Sequence, residues 1–226
     1  MLILGIDDSG RGPVIGPMVL AGCLIDSEVE KEFKKLGVRD SKKLTARKRE
    51  ILAEIIKKKA LSYKIAIILP REIDGKTNLG INLNKIEAIK SAEIINKVNK
   101  GFDKLKVIVD CPSPNKKKWE AFLKSHVQKK ENIQFVIEHK ADVNHIACSA
   151  ASILAKSTRE KEISKIKKRI GKDFGSGYTS DPITQKFLEE HSEKHKNDGI
   201  FRETWETWKR VRRKKEQKNL SDFSKL

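Results

Sequence analysis

Short apolar runs that are rich in β-branched residues alternate along this chain with segments whose apolar residues recur at helical spacing. The five runs are LILGI at 2–6, VIGPMVLAGCLI at 14–25, SYKIAIIL at 62–69, KVIVD at 106–110 and IQFVIEH at 133–139. Runs of this kind, bounded by turn-forming residues, predict buried strands. Because strands that alternate with helices are typical of α/β proteins, we predict an α/β fold with a five-stranded sheet flanked by helices.

Caps and periodicity place the helices between these strands. Thr45 precedes apolar residues at helical spacing, which predicts a helix that ends near residue 59. Residues 70–80, PREIDGKTNLG, are predicted to form a loop, after which Asn82 or Asn84 caps the next helix. Further helices are predicted over 115–128, over 141–170, from Pro182 in a first helical turn, and from 203 to about 218.

The length of the chain bounds its organisation. With 226 residues it can form one large domain whose core needs no disulfide or metal for stability. The one shift in composition is the basic segment KRVRRKKEQKNLSDFSKL. We therefore predict a core domain over residues 1–200, followed by a basic helical extension and tail over residues 201–226.

The charge of the chain points to a class of partner. Lys and Arg number 49 against 31 acids, which gives a formal net charge of +18. An excess of this size favours a polyanionic partner such as nucleic acid. The alternative is the Lys- and Glu-rich surface of a heat-adapted protein, but that enrichment alone would leave the charge nearer to balance.

The cysteines and the apolar runs indicate the compartment. Cys23, Cys111 and Cys148 are odd in number and lack C-x-x-C spacing, which argues against a disulfide framework or a zinc ribbon. The first residues lack a basic leader, and no run approaches the ~18 apolar residues of a membrane span. We therefore expect a soluble, cytoplasmic protein.

Four acids follow apolar runs. Asp7 and Asp8 close the first predicted strand, Asp110 closes the fourth, and Asp142 opens the long helix after the fifth. Ligand sites of α/β sheets form at the outer ends of strands, so these acids can converge. The alternative is that Asp8 and Asp142 are solvated, since Asp is common in turns and at helix starts.

Convergence of these acids would require a cation. Two unit charges ~4 Å apart repel by roughly 4 kcal/mol at an effective dielectric near 20. Mg²⁺ accepts carboxylate and phosphate oxygens and keeps several waters. Two such ions can bind the attacking and leaving oxygens of a phosphoryl displacement, so the acids indicate phosphodiester hydrolysis.

Six segments around these acids closely resemble the type 2 ribonucleases H, and archaeal ribonuclease HII in particular. They are, in order, GIDDSGRGPVIGPMV, DSKKLT, NLNKIEA, IVDCP, KADVNHIACSAASILAKSTR and GSGYTSDP. The similarity runs from residue 3 to about residue 205. It implies a ribonuclease H-like fold with a central mixed five-stranded sheet, and a helical C-terminal extension.

The resemblance also implies an activity. It predicts an endoribonuclease that hydrolyses the RNA strand of RNA/DNA hybrids and cuts 5′ of ribonucleotides embedded in duplex DNA, leaving 3′-hydroxyl and 5′-phosphate ends. Such an enzyme would remove RNA primers and misincorporated ribonucleotides. The family's metal-binding acids correspond to Asp7, Asp8, Asp110 and Asp142, which would bind two Mg²⁺ or Mn²⁺ ions. Asp7 would bridge the ions, Asp142 would help to hold the ion that activates water, and Asp8 and Asp110 the ion on the leaving side.

One residue departs from the family pattern. Asp8 stands where the family usually has Glu, and the missing methylene shortens the side chain by about 1.5 Å. Since a misplacement on this scale can lower a rate about a hundredfold, we hypothesise an effect on rate or metal preference, with Mn²⁺ serving as well as Mg²⁺ or better.

An enzyme that cuts at ribonucleotides must detect the 2′-hydroxyl. By resemblance, the backbone of Gly10, Arg11 and Gly12 would bind this hydroxyl, and Tyr178 would stack on the neighbouring deoxyribose. Lys42 is the predicted phosphate contact near the site, and 209–215, KRVRRKK, a predicted outer contact. The alternatives are a plain tight turn for GRG, an aromatic that caps the core for Tyr178, and a solvated face for the basic run.

The end of the sequence contains a possible partner motif. Gln217, Leu220 and Phe223 have the spacing of the Q-x-x-L-x-x-F box that binds the DNA sliding clamp by a helix-in-groove mode. The usual second aromatic is absent, because Ser224 stands there. A frayed amphipathic helix end gives the same pattern.

Other candidate residues have simpler explanations. His191 and His195 have a metal-compatible spacing but lack the Glu of an H-E-x-x-H motif, so we predict that both lie on the surface. Trp205 and Trp208 are predicted to pack the last helix onto the core.

Three other functions compete with a monomeric type 2 ribonuclease H. A DNA nuclease or integrase of the same superfold would share the acids but lack GRG and the tyrosine. A type 3 ribonuclease H usually has an additional N-terminal domain. A hybrid-binding protein without activity would follow if Asp8 abolished catalysis.

Overall fold

A computed structural model describes residues 1–39, 41 and 44–223, with side chains up to residue 217. The chain forms two compact units. The first comprises Met1–Gly10, Met18–Ile67 and Asn82–Glu160, and the second comprises Arg11–Pro17, Ile68–Ile81 and the chain from Lys161 onwards. The division at residue 200 stays a prediction.

The described part of the chain contains a five-stranded sheet. The strands are β1 (Leu2–Ser9), β2 (Met18–Ile25), β3 (Ser62–Ile68), β4 (Leu105–Asp110) and β5 (Ile133–Glu138). Their order is β3-β2-β1-β4-β5. β1 pairs antiparallel with β2 and parallel with β4, and β4 pairs parallel with β5. The predicted mixed five-stranded sheet is therefore confirmed.

The helices fall between and after the strands. They are α1 (Ser27–Lys35), α2 (Ala46–Lys59), α3 (Pro70–Asn78), α4 (Leu83–Val98), α5 (Lys116–Ser125), α6 (Ala141–Asn144), α7 (Ile146–Ile170), α8 (Pro182–His191) and α9 (Glu206–Phe223). The Thr45 hydroxyl accepts a hydrogen bond from the Lys48 backbone N–H and caps α2, as predicted. Asn82 rather than Asn84 caps α4, because its side chain accepts from the Lys85 backbone N–H.

The first strand is longer than its apolar run. β1 continues through Ser9, and Asp7 and Asp8 pair with Ala21 and Leu20 of β2. The prediction that the two acids lie where the strand opens into a turn is therefore wrong. The antiparallel partner supplies main-chain hydrogen bonds beyond the last apolar residue, so the strand does not end where the hydrophobic pattern ends.

Helix α7 packs very closely against β1. A Cβ atom on Gly5 of β1 would lie 2.1 Å from the backbone carbonyl carbon of Ala147. Small residues line the facing side of the helix, and Ala147, Ala150 and Ala151 are buried in the core of the first unit. Glycine in the strand and alanine in the helix therefore permit a backbone approach that larger side chains would prevent.

Two helix predictions are wrong. Residues 70–78, predicted as part of a loop, form α3 with Pro70 in its first turn, where proline lacks only an N–H that would have no helical partner. The predicted helix over 141–170 is divided into α6 and α7 by His145, whose backbone is extended at φ −129° and ψ 125°. No proline or glycine marks this break in the sequence.

The second unit has its own apolar core. Its buried residues are Val14, Ile15, Ile163, Phe174, Phe187, Leu188, Ile200, Phe201 and Trp208. Trp208 stacks on Phe201 at a centroid distance of 4.2 Å, as expected for a tryptophan that packs the last helix. Pro182 lies in the first turn of α8, as predicted, with Asp181 as the N-cap.

His195 contradicts the prediction of a surface position. Its side chain is buried, stacks on Phe187, and has Nδ1 2.7 Å from Oδ2 of Asp198. The prediction failed because the residue lies in turns beyond the end of α8, where helical spacing does not determine which side faces solvent.

Cys23, Cys111 and Cys148 are buried free thiols, and burial raises the pKa of Cys23 to about 12. Among the helices that the structure describes, none combines the length and the apolar character needed to cross a membrane.

Candidate active site

Asp7 lies at the centre of the candidate site, in the first unit. Its side chain is 6% exposed and accepts a hydrogen bond of 2.8 Å from the Asp8 backbone N–H. Burial raises its pKa well above the ordinary value of 3.8, the Asp8 carboxylate raises the pKa further, and the Asp110 carboxylate contributes in the same direction. A hydrogen bond with the Ser152 side chain opposes these effects. The negative charges of Asp7, Asp8 and Asp110 therefore converge.

The strand register explains why Asp110 lies beside Asp7. β1 and β4 are parallel, with Ile6 paired to Val109, so the next residue on each strand is an acid. This is the carboxyl end of β4, where ligand sites of α/β sheets form. Oδ1 of Asp110 accepts a hydrogen bond of 3.0 Å from the Ala141 backbone N–H. The end of β4 is thereby joined to the start of α6.

Asp142 follows directly in the first turn of α6 and is buried. Its backbone carbonyl accepts a hydrogen bond of 2.5 Å from the Ser149 hydroxyl of α7. On the other side, Lys140 adopts the left-handed conformation at φ 60°. Non-glycine residues in this region carry strain, and strained residues concentrate at functional sites. The contact of Ala141 with Asp110 places the backbone of Asp142 near Asp110.

These acids fit a divalent cation by their chemistry. Oxygen ligands of concentrated negative charge are what Mg²⁺ and Mn²⁺ prefer, and a cation would relieve the repulsion that raises the pKa of Asp7. Among the residues that the structure describes, no group of three or more His, Cys, Asp or Glu side chains is arranged so that it could hold a metal ion. Mg²⁺ does not require three protein ligands, since one or two carboxylates with waters and substrate phosphates suffice.

A chain of side chains that the sequence did not reveal supports Asp7. Ser152, its hydrogen-bond partner, lies 2.8 Å from the Ser41 hydroxyl, and Lys156 Nζ also donates to that hydroxyl. Nη1 of Arg49 donates to the backbone oxygens of Ser41 and Leu44, at 2.9 and 2.7 Å. The one signal in the sequence was the segment CSAAS, which places Ser149 and Ser152 among alanines.

The sequence between Ser41 and Leu44 contains a predicted phosphate contact. Lys42 lies outside the described residues, so its predicted role is not tested. The residues on either side of the gap, Ser41 and Leu44, are held by Arg49. Nη2 of Arg49 also pairs with Glu160 of α7 at 2.5 Å.

The GRG segment is divided between the two units, with Gly10 in the first and Arg11 and Gly12 in the second. Gly10 has a φ of 88°, which explains why glycine is required there. Within the second unit, Gly12 lies next to Tyr178, because a Cβ on Gly12 would be 3.5 Å from the tyrosine ring. Tyr178 is 38% exposed. The structure thus brings two of the predicted ribose-reading residues together.

The side chain of Arg202 contacts the loop that contains Arg11 and Gly12. It is fully buried, and its Nη1 donates to the Arg11 carbonyl at 2.7 Å and its Nε to the Gly16 carbonyl at 3.1 Å. Trp205 Nε1 donates to the Gly12 carbonyl at 3.3 Å. An arginine in a polar segment is normally exposed, so composition gave no signal of its burial.

The predicted clamp-binding tail is described only in part. Gln217 is exposed on α9, whereas the side chains of Leu220 and Phe223 lie outside the described residues. The basic run is solvent-facing at Lys209, Arg210 and Arg213. Both roles stay predictions.

A comparison with known proteins decides the family. A family model described as ribonuclease HII matches residues 4–208, a range that includes the four acids. A ribonuclease HII from Methanocaldococcus jannaschii is 42% identical over 230 residues, covering 97% of this chain and 99% of the relative. The chain belongs to the ribonuclease HII family. It is therefore a type 2 ribonuclease H, and the predicted hydrolase class is confirmed.

Solved structures of ribonuclease HII proteins share the fold. The crystal structure of ribonuclease H2 from Pyrococcus horikoshii OT3 has a TM-score of 0.84 and 36% identity, covering 95% of this chain and 98% of that one. Ribonuclease HII in the PCNA complex from Archaeoglobus fulgidus has a TM-score of 0.80 and 35% identity, covering 91% and 96%. The predicted ribonuclease H-like fold with a helical C-terminal segment is confirmed.

Proposed function

We propose that this ribonuclease HII hydrolyses the RNA strand of RNA/DNA hybrids and cuts on the 5′ side of ribonucleotides embedded in duplex DNA. The products would carry 3′-hydroxyl and 5′-phosphate ends. The proposal rests above all on the placement of Asp8 and Asp110 beside the buried Asp7 carboxylate, whose pKa burial and these two charges raise. Such an arrangement is expected of a site that binds cations for phosphodiester chemistry.

Two Mg²⁺ or Mn²⁺ ions would be held by Asp7, Asp8, Asp110 and Asp142. When bound, such ions supply activation of a water molecule and stabilisation of charge on the attacking and leaving oxygens. The protein's own contribution is to orient the carboxylate oxygens. The Asp8 backbone N–H fixes Oδ1 of Asp7, and the Ala141 N–H fixes Oδ1 of Asp110. Hydrogen bonds of this kind hold ligating carboxylates in place between turnovers.

Substrate selection would depend on the ribose. The backbone of Gly10, Arg11 and Gly12 would bind the 2′-hydroxyl, and Tyr178 would stack on the adjacent deoxyribose. The contact of Gly12 with the Tyr178 ring supports a shared role. Lys42 and the basic run of α9 would contact phosphates without reading sequence, in keeping with the net charge of +18.

The cellular role would be removal of RNA primers and misincorporated ribonucleotides during replication and repair in the cytoplasm. The Archaeoglobus fulgidus relative was solved in complex with PCNA, which supports a clamp interaction for this chain through Gln217, Leu220 and Phe223. If this motif binds the clamp, deletion of residues 217–226 should abolish pulldown by the clamp. Unchanged pulldown would exclude the motif.

The decisive experiment follows cleavage of a duplex that contains one ribonucleotide, with the same all-DNA duplex as control. We expect the parent protein to cut 5′ of the ribonucleotide and Asp7→Asn to lose at least a hundredfold in rate, because the variant keeps the shape of the side chain but removes the central charge. Assays in Mg²⁺ and Mn²⁺, with Asp8→Glu beside the parent, test the metal hypothesis. Cleavage of the all-DNA duplex would favour a DNA nuclease, and tight hybrid binding without cleavage in either metal would indicate a binding protein.

A further inference from the structure

We propose that Arg202 is a positioning residue for ribose recognition, which it serves by orienting the peptide between Arg11 and Gly12. This inference rests on the proposed function and adds to it a specificity-determining residue outside the GRG segment. The observation behind it is a fully buried guanidinium whose donors are directed at backbone carbonyls of the GRG loop, defined here as residues 11–16.

The two hydrogen bonds of the Arg202 guanidinium are directed at the two ends of the GRG loop. Nη1 of Arg202 donates to the Arg11 carbonyl at 2.7 Å, and Nε donates to the Gly16 carbonyl at 3.1 Å. Because the guanidinium is planar and rigid, two bonds from one group fix the separation and orientation of the two carbonyls. Arg202 therefore spans the GRG loop from one end to the other.

The Arg11 carbonyl and the Gly12 N–H belong to one planar peptide, in which they point in opposite directions. A hydrogen bond that fixes the carbonyl therefore also fixes the direction of the N–H. Gly12 has no side chain to hold its conformation, so this external bond replaces the constraint that a Cβ would provide. The N–H thus held is one of the backbone groups that we propose to read the 2′-hydroxyl.

Arg202 is itself held in place. Its backbone N–H donates to the Val14 carbonyl at 2.9 Å, and Ile15 forms a β-bridge with Phe201. The guanidinium lies 4.9 Å from the centre of the Trp205 ring, and Trp205 Nε1 donates to the Gly12 carbonyl at 3.3 Å. Arg202 and Trp205 therefore hold two successive carbonyls, those of Arg11 and Gly12.

The test compares two substrates rather than one activity. Single-turnover cleavage is measured, with enzyme in excess, on a duplex with one ribonucleotide and on the same duplex with a 2′-fluoro group at that position, which is a poor acceptor for the hydrogen bond that the Gly12 N–H would donate to the 2′-oxygen. The readout is the cleavage rate of the ribonucleotide duplex divided by the cleavage rate of the 2′-fluoro duplex. We expect Arg202→Met to lower this ratio at least tenfold and Arg202→Lys to lower it less, because Lys can replace one of the two bonds. A purely structural role would slow both substrates equally and leave the ratio unchanged.

Two further variants complete the experiment. Arg169→Met is the matched control, since Arg169 also donates to a backbone carbonyl of the second unit, that of Asp198 at 3.1 Å, and it should leave the ratio unchanged. Trp205→Phe removes the Nε1 donor and keeps an aromatic ring. This variant tests the same loop if Arg202→Met does not fold, and we expect it to lower the ratio as well. An unchanged ratio in the folded Arg202 and Trp205 variants would overturn the inference. A parent protein that cuts neither substrate would instead remove the proposed function.

Discussion

At the scale of single residues, the candidate site is organised around Asp7. The fold destabilises the ionised form of this carboxylate in the absence of a cation. Its burial and its two acidic neighbours raise its pKa, while the Asp8 N–H and the Ser152 side chain hold it in position. Sequence reasoning could place Asp7, Asp8 and Asp110 because each follows an apolar run. It could not find the Ser41 and Ser152 pair, since that contact joins residues 111 positions apart.

The raised pKa of Asp7 predicts how stability depends on pH without metal. The folded protein binds this proton more tightly than the unfolded chain, so the associated stability is present at acid pH and is lost as the pH rises from the ordinary value of 3.8 through the raised value. We therefore expect Asp7→Asn, in a chelator, to melt at a higher temperature than the parent at neutral pH, with no such advantage below about pH 4.

Added Mg²⁺ provides the control for this prediction. The ion should raise the melting temperature of the parent more than that of Asp7→Asn, because a ligand stabilises only a state that binds it. Equal melting curves for the two proteins across the pH range would contradict a strained, buried charge at Asp7.

At the scale of helices and strands, the sequence was enough to predict a helix start where the capping residue and its backbone partner lie within one helical turn. Thr45 and Asn82 cap the helices that follow them, and Pro182 occupies a first helical turn, all within one turn of sequence. The division of the predicted helix over 141–170 depends on contacts that reach beyond one helical turn. The extended residue His145 separates α6 from α7, and it is the Ala141 contact with Asp110 and the Ser149 contact with Asp142 that secure the two sides of this break.

The close packing of β1 on α7 predicts a large effect for one added methyl group. Gly5→Ala places a Cβ 2.1 Å from backbone atoms that cannot move independently, so we expect the free energy of unfolding to fall by about 3 kcal/mol or more. Gly75→Ala is the matched control in helix α3, where a Cβ meets nothing within 4 Å. We expect this variant to raise the free energy of unfolding by about 0.5–1 kcal/mol. Denaturant unfolding measures both, and a similar loss in the two variants would disprove close packing as the cause.

At the scale of the whole molecule, the positive charge is the most general feature. The net charge of +18 does not determine the fold, but it determines how strongly a polyanion is attracted and how far salt weakens that attraction. Basic residues of α9 such as Lys209 and Arg210 are exposed, and both belong to the run that we predict to contact DNA outside the active site.

This charge predicts a measurable dependence on salt. Each phosphate contact contributes about 0.9 to the slope of log K against log salt concentration. Replacing Lys209, Arg210 and Lys214 with Gln should therefore make the slope for duplex binding shallower by about 2 to 3. The same replacement of the last-turn lysines of α2, residues 57–59, is the control. A slope that is equally unaffected by both triple variants would show that the basic run of α9 is only a solvated face.

The bond between Arg202 and Arg11 also has a consequence for synthesis, because it joins positions 191 residues apart. β1, its acids and the loop that follows them are translated before residue 202, so this loop has no guanidinium donor until residue 202 has been translated. A nascent chain shorter than this contains the acids but lacks the donor that fixes the Arg11 carbonyl. If this loop reads the ribose as proposed, selectivity for ribonucleotides is acquired later in synthesis than the acids themselves.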